Sequence, residues 1–398
     1  MHIKPDTLAM TVMLAFMTAL GPLATDLYLP SLPHIGVDLH ASTAAVQLTL
    51  SAYLIGFSAG QIIYGPVSDA RGRKPVLLAA FGIFLAATLA CAPATSVEML
   101  IAARVLQAFG GAGPIILART IVRDLHDGPR AGRELSMMGS IMGVTPVIAP
   151  IFGGFLQVAF GWRASFIAMA VGALILFVLA ALLVPETIRM RQHDGLSLRT
   201  ILRSYAIVLQ HRNFLIYVGL LALSYSGLFA FISASSFVMQ GVYGLNEIAF
   251  GLSFASCSIS FVAGTLIGTR IVSRRGFDRT IAVGVALLVI GGLGQLAGVI
   301  FFPTRLLALV LPEMFYFTGI GLVLPQAMAA AMSPFPDRAG AASSLAGFTQ
   351  MVFASITGAV VGGFVGGSAL PLVVASAASG VCAFVLFHTT KRLRTRPL

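Results

Sequence analysis

Three ionisable side chains stand inside long apolar stretches of the sequence: Asp26, Arg104 and Glu313. A charge within a membrane-spanning segment is energetically expensive and usually has a function. A nearby arginine holds a carboxylate ionised, whereas desolvation drives it toward the neutral acid. The balance of the two can tune the group to load and release a proton. We therefore predict that these three residues form a proton-coupling site, with Asp26 as the first choice for the group that binds the proton and Arg104 as its modulator.

Less specific interpretations of the two acids stay open. Asp26 lies four residues before Pro30 and would be solvated if a helix ends there. Pro312 directly precedes Glu313 and would place that acid near the membrane interface if it bends the chain. Both alternatives predict carboxylates that water reaches.

The composition explains why these positions must be membrane-spanning. The chain has 398 residues, of which 58% are apolar and 10% are charged. Soluble proteins carry about 25% charged residues, so a large soluble domain is excluded. The net charge of +11 does not indicate nucleic-acid binding, because the cations stand in short clusters between apolar runs rather than along one face. They are typical of anchors at the inner membrane surface.

The apolar runs predict twelve transmembrane helices, since one crossing needs about 20 apolar residues. If both termini and every even-numbered loop lie inside, all lysines and arginines except Arg104, Arg163 and Arg305 are cytoplasmic or flank that side. The predicted spans are 8–29, 44–64, 76–93, 98–122, 133–158, 163–184, 213–239, 248–272, 280–301, 305–331, 339–365 and 369–389.

A weak internal repeat divides these spans into two groups of six. A shift of 208 residues aligns Arg130 with Arg338 and Gly154 with Gly362. Two six-helix halves in the same orientation form a parallel repeat. We predict an all-α integral membrane fold with an N-terminal half at 1–184, a cytoplasmic linker at 185–212 and a C-terminal half at 213–398.

The most charged short loop joins the second and third spans, at residues 65–77. We expect Gly65 and Gly72 to provide a tight turn and Asp69 to end the first helix. The cations Arg73 and Lys74 would lie at the inner surface. Asp124, at the end of the fourth span, is predicted to pair with Arg73 across that surface.

The fifth span contains prolines and paired glycines: Pro146, Pro150, Gly153 and Gly154. Each proline frees a carbonyl four residues earlier and permits a bend, and the glycines permit close helix packing. Ordinary tight packing is the competing explanation.

Several of these segments resemble motifs of the major facilitator superfamily. Residues 65–74 resemble its loop motif G-x-x-x-D-R-x-G-R-R/K, with Ala70 in place of the usual arginine and Arg71 one position later. Residues 104–111 resemble its fourth-helix motif, whose arginine is associated with proton coupling. Residues 149–154 resemble the G-P-x-x-G-G ending of its antiporter motif, with Ala149 at the first glycine.

Residues 25–33 and 331–336, with Ala339 and Gly340 following, resemble the Bcr/CflA drug-resistance branch of that superfamily. The resemblance implies proton-driven export of hydrophobic compounds such as bicyclomycin or chloramphenicol. We also expect Asp69 to face the N-terminal dipole of the eleventh helix near Gly340, and these contacts to lock the two halves in an outward-facing state closed at the cytoplasmic gate. Aromatic side chains on the helices that line the family's central cavity are candidate drug contacts: Tyr28, Tyr53, Phe57, Phe109, Tyr225, Phe229 and Tyr316.

We therefore expect a multidrug antiporter in the bacterial inner membrane, multi-pass and monomeric, with both termini cytoplasmic. Its partners would be hydrophobic drugs, protons and lipid, with no nucleic acid. The alternative with the same fold is a proton-coupled symporter or facilitator for a small metabolite. An enzyme is not expected, because histidines and cysteines show no metal-ligand or nucleophile spacing and no phosphate-binding loop occurs. No cofactor is implied.

Overall fold

The computed structural model describes residues 7–126, 128–188, 198–335 and 338–394. Regular structure in these ranges is helical, without a β-strand. This follows from the sequence, because a chain that crosses lipid must satisfy its backbone hydrogen bonds within each segment.

The helices are grouped into two compact units. The first contains residues 1–41 and 52–200, and the second contains residues 42–51 and 201–398. The predicted boundaries at 184 and 213 stay a prediction. Part of the predicted linker is helical, in a short segment between the two sets of spans.

The first unit contains most of the first eight helices, which the chain forms in order with short connections. A short 3-10 turn at Leu29–Ser31 links the first two. Within the unit, α4 packs on α5 and α7, and α1 packs on α5 and α6. The helices are α1 (Leu8–Asp26), α2 (Leu32–Asp38), α3 (Thr43–Arg71), α4 (Arg73–Cys91), α5 (Val97–Leu125), α6 (Gly128–Phe160), α7 (Arg163–Leu183) and α8 (Leu198–Leu209). The start of α3 and most of α8 belong to the second unit.

The second unit contains the remaining helices. Here α9 packs on α11, α12 and α13, and α10 packs on α11 and α13. A π-helical turn, Phe237–Val242, follows α9. The helices are α9 (Arg212–Ser236), α10 (Glu247–Phe301), α11 (Leu306–Met332), α12 (Ala339–Phe364), α13 (Leu370–Thr389) and α14 (Lys391–Arg394).

The number of spans agrees with the sequence prediction. Eleven helices in the described ranges are long and apolar enough to cross a membrane. One of them, α10, has 55 residues and is broken at Gly276, whose φ of 75° and ψ of 175° are not helical. Its two segments correspond to the predicted eighth and ninth spans. The prediction of twelve transmembrane helices is confirmed.

The turn between the second and third spans is shorter than the predicted loop at residues 65–77. Helix α3 continues through Gly65 and Asp69 to Arg71, and α4 begins at Arg73. Gly72 alone makes the turn, with a φ of 104° that favours glycine. The charged residues end the apolar run without ending the helix, so hydropathy does not mark the end of the helix.

Candidate functional site

Arg104 is enclosed by aromatic rings and a backbone carbonyl. Its side chain on α5 is fully buried. Nη1 donates to the carbonyl oxygen of Ala24 at 2.8 Å and to Oε1 of Gln107 at 2.6 Å. The guanidinium carbon lies 4.4 Å from the ring centroid of Tyr28 and 4.3 Å from that of Tyr53. A cation this deep is stabilised by the ring quadrupoles instead of a carboxylate.

Gln107, which accepts a hydrogen bond from Arg104, is itself held in place by two further contacts. Its Nε2 donates to the hydroxyl of Thr88 at 2.9 Å and contacts the sulfur of Met169 at 3.4 Å. These contacts orient Oε1 toward Arg104. Within the described residues, Nε and Nη2 of Arg104 have no hydrogen-bond partner. The arginine therefore keeps donors available for another group.

Asp26 is the last residue of α1 and is 4% exposed. Its Oδ1 accepts a hydrogen bond of 2.9 Å from Thr25. No ion pair joins it to Arg104 or to another cation in the described part of the chain, although Arg104 bonds to Ala24, two residues earlier. Burial excludes the alternative of a solvated helix end. Control of Asp26 by Arg104 stays a prediction.

Glu313 lies in the second unit and is fully buried within α11. Its polar surroundings include Gln295 of α10, which is also fully buried, and Tyr316 one turn later. A Cβ added at Gly291 would lie 2.7 Å from the carbonyl oxygen of Pro312. This close contact packs the turn that contains Pro312 against α10, where Glu313 is shielded from water.

The predicted cavity aromatics occupy different environments. Tyr28 and Tyr53 pack on Arg104, and Tyr53 stacks on Phe57 with centroids 6.4 Å apart. Phe109 contacts the ring of Tyr64 at 5.2 Å. The other three lie in the second unit, where Phe229 and Tyr316 are buried and Tyr225 is half-buried. Drug contact by any of the seven stays a prediction.

The predicted pair of Arg73 and Asp124 is present. Nε of Arg73 lies 3.0 Å from Oδ2 of Asp124, and Nη1 also pairs with Asp69. The sequence analysis missed Glu186, whose Oε1 accepts the backbone N–H of Arg73 at 2.9 Å. A Cβ at Gly72 would lie 2.4 Å from Oε2 of Glu186, so another residue there would displace this carboxylate in addition to straining the backbone.

The other predicted gate residues are less constrained. Gly65 lies within α3, and a Cβ added there would meet no atom within 4 Å. Lys74 is half-buried in the first turn of α4. The predicted approach of Asp69 to Gly340 would connect the two units and stays a prediction, as does the role of this cluster as a gate.

The second unit has a comparable cluster with opposite charges. Asp278, just after the break at Gly276, accepts a hydrogen bond of 2.7 Å from the hydroxyl of Tyr217. Nη1 of Arg394 lies 2.7 Å from the same carboxylate oxygen. In the first unit, Arg73 follows Gly72 and the acid Glu186 follows the last span. In the second unit the charges are exchanged: Asp278 follows Gly276, and Arg394 follows the last span.

We predict that Asp278→Asn destabilises the protein through the charge of Arg394. That side chain is 1% exposed and would lose its carboxylate, whereas Asp278 itself is about one-third exposed. Loss of a partner for a buried charge costs about 1–3 kcal/mol. The measurement is the unfolding midpoint of purified protein. Arg274→Gln, at an exposed position before the break, is the control and should leave the midpoint unchanged. Equal midpoints for wild type and Asp278→Asn would contradict the prediction.

The comparisons with known proteins assign the family. The sequence profile of the Major Facilitator Superfamily matches residues 14–359, which is most of the chain. The chain belongs to the major facilitator superfamily. It is therefore a multi-pass membrane transporter and not an enzyme.

Similar proteins of this superfamily come from several bacteria. The chain is 34% identical to the uncharacterized transporter YdgK of Bacillus subtilis over 90% of its length and 89% of that protein. It is 28% identical to the bicyclomycin resistance protein homolog of Haemophilus influenzae, over the whole of both chains. It is 30% identical to multidrug resistance protein D of Escherichia coli, covering 86% of this chain and 85% of that protein.

A solved structure supports the fold. The xylose transporter XylE of Escherichia coli superimposes with a TM-score of 0.77 at 16% identity, covering 98% of this chain and 99% of that one. At this identity the likeness establishes the major facilitator fold and carries no information about substrate.

The antiporter-like segment of this major facilitator transporter lies within one continuous helix. Pro146 and Pro150 are both inside α6. Gly153 faces the end of α1 so closely that a Cβ would lie 1.8 Å from the carbonyl oxygen of Leu27. Gly154 is buried beside it. The glycine allows α6 to touch the backbone next to Asp26, which fits the packing interpretation; a role in antiport stays a prediction.

Proposed function

We propose that this chain is a proton-driven antiporter that exports hydrophobic drugs by alternating access. Protons flow inward while a drug of the bicyclomycin or chloramphenicol type leaves the cell. A ligand shifts a conformational equilibrium only through its different affinities for the two states. Proton and drug must therefore favour opposite states of the transporter.

The observation that carries this proposal is the burial of two carboxyl groups without a cation. Asp26 and Glu313 have no ion-pair partner in the part of the chain that the structure describes. An unpaired carboxylate removed from water costs several kcal/mol. Each group therefore gains from binding a proton in the enclosed state, and exposure to water on the other side of the cycle lets it leave.

The substrate class is supported by the relatives. Two of them are named for resistance to bicyclomycin and to multiple drugs, and each matches at least 85% of its own length. Aromatic residues beside Arg104 offer flat apolar surfaces that tolerate varied ligands. The neighbouring guanidinium, with two free donors in the described structure, would bind a carbonyl or hydroxyl of the drug.

The bacterial relatives also support placement in the inner membrane. The excess of cations in the predicted inner loops supports cytoplasmic termini. We expect the transporter to act as a monomer, because each chain carries both acids.

Drug flux in proteoliposomes under an imposed pH gradient tests the proposal. We expect labelled chloramphenicol to move against the proton flow, and Asp26→Asn to remove the gradient-driven part of that flux. Asparagine keeps the oxygen that accepts from Thr25 but cannot take up a proton. Glu98→Gln, at an exposed position in the first turn of α5, is the matched control.

Two outcomes would contradict the proposal in different ways. Drug movement in the same direction as the protons would indicate a symporter. Unchanged gradient-driven antiport in Asp26→Asn would leave export intact and remove Asp26 from the coupling mechanism.

A further inference from the structure

The first unit contains a second candidate binding site, away from Arg104. A cavity of about 230 Å³ lies among α1, α5 and α6. Its lining comprises Thr18 of α1, Arg119 and Arg123 of α5, and four residues of α6 between positions 135 and 142. Nothing in the proposed proton pathway uses these groups.

Arg119 and Arg123 form no ion pair in the described part of the chain. Arg119 and Arg123 are four residues apart on α5, so they lie on the same helical face and repel each other. The polar contact of Arg119 in the described structure is with the sulfur of Met142, at 3.8 Å. No hydrogen bond or ion pair is present for Arg123 among the described residues. Both side chains line the cavity and are exposed.

Two acids close to these arginines in the sequence, Asp124 and Glu134, bind other residues. Asp124 accepts from Arg73 and from the hydroxyl of Thr187, and Glu134 accepts from Thr11. Neither forms an ion pair with Arg119 or Arg123 in the described ranges. Arg119 stands six residues before the end of α5, or about 9 Å along the helix axis. Like charges four residues apart on a helix destabilise each other, and an anion bound between them would remove that repulsion.

The opposite wall of the cavity is apolar. Met138 is 2% exposed, and Met142 and Leu135 are half-buried. Methionine side chains adapt to ligands of different shape. At Gly139 an added Cβ would meet no atom within 4 Å, so open space lies directly above the backbone of α6.

We propose that this cavity binds the acidic group of an amphipathic anion. Two guanidinium groups would hold an oxyanion, a phosphate ester or a carboxylate, through charge-assisted hydrogen bonds. The methionine wall would contact the apolar part next to that group. The anion could come from a soluble amphiphile or from a phospholipid headgroup, and both present the same chemistry.

Thermal unfolding of the purified full chain in neutral detergent tests the site without any transport assay. Hexyl phosphate is the probe, and 1-hexanol is the uncharged control. We expect hexyl phosphate to raise the unfolding midpoint of wild type by roughly 2–4 °C and hexanol to leave it unchanged. The double substitution Arg119→Gln and Arg123→Gln should raise the hexyl phosphate concentration that gives half of this shift roughly tenfold or more.

A plug in the cavity provides a second test that keeps both arginines. Gly139→Phe should fill the open space and remove the response to hexyl phosphate. Gly172→Phe is the matched control, because an added Cβ at Gly172 on α7 also meets no atom within 4 Å. This control should respond as wild type does.

Nanodiscs distinguish the two sources of the anion. Wild type and the Gly139→Phe variant are compared in phosphatidylcholine discs with and without phosphatidylglycerol. Stabilisation by phosphatidylglycerol that Gly139→Phe removes identifies a lipid headgroup. A response to hexyl phosphate in detergent, with no stabilisation by phosphatidylglycerol in nanodiscs, identifies a soluble amphiphile. If neither anion stabilises wild type, or if the plug and the arginine substitutions leave the response unchanged, the cavity is not an anion site.

Discussion

Arg104→Ala is expected to abolish gradient-driven export while leaving a protein that still inserts into the membrane. The substitution removes the cation next to two tyrosine rings, 4.4 and 4.3 Å from their centroids. Desolvated cation–π contacts are worth about 2 kcal/mol each. It also removes the donor to the Ala24 carbonyl, two residues before Asp26. The end of α1 would then lose the group that fixes its position.

Arg104→Lys separates the charge from the geometry of the guanidinium. Lysine keeps the charge but lacks the planar group that contacts two rings and two acceptors together. We expect Arg104→Lys to lose most of the export, by roughly tenfold or more. Tyr53→Leu keeps the arginine and removes one ring. Its export activity should lie between that of Arg104→Lys and that of wild type.

Export is measured as drug susceptibility of expressing cells and as flux in proteoliposomes. Arg305→Ala is the control, because this arginine is exposed at a helix end. Its loss should change neither the drug susceptibility nor the flux. Wild-type export by Arg104→Lys would show that charge alone suffices. Full export by Arg104→Ala would remove the arginine from the proposed mechanism.

Glu313→Gln is expected to stabilise the protein and to reduce its proton-coupled transport. Glu313 is fully buried and forms no ion pair in the described structure; its polar neighbour is the amide of Gln295. Glutamine has almost the same shape but no ionised form. Removing a buried acid that lacks an ion-pair partner should raise the free energy of unfolding by about 1–3 kcal/mol. Such a gain at the expense of activity is typical of functional residues.

Two measurements test this prediction on the same preparation. The unfolding midpoint should rise, and the drug flux driven by a pH gradient should fall by roughly tenfold. Gln295→Leu is the comparison variant, since it alters the neighbour of Glu313 and retains the acid. A lower midpoint with unchanged flux would show that Glu313 supports packing and carries no proton.

The charged clusters around Arg73 and Asp278 occupy corresponding positions in the internal repeat. The shift of 208 residues that aligns Arg130 with Arg338 also aligns Glu186 with Arg394. Both residues follow the last span of their own unit, and both bind the residues just after a glycine break. The sequence analysis did not identify Asp278. The aligned charges have opposite sign, so a search for identical residues does not find them.

The sequence by itself determined the number of spans, the family motifs and the positions of the three buried charges. These features are local: lipid requires a run of apolar residues, and a charge within such a run is visible without knowing its neighbours. The pair of Arg73 and Asp124 was also predictable, because the short turn at Gly72 and the end of α5 fall on the same predicted side.

Only the tertiary structure decided which groups surround each charge. It placed Arg104 between Tyr28 and Tyr53 instead of against Asp26, and Glu186 beside Gly72. It also left Arg119 and Arg123 facing a cavity. These contacts join residues far apart in the chain, and almost any face of an apolar helix can pack in lipid. Hydropathy therefore specifies that a helix crosses the membrane, while side-chain shape and polar pairing specify its neighbours.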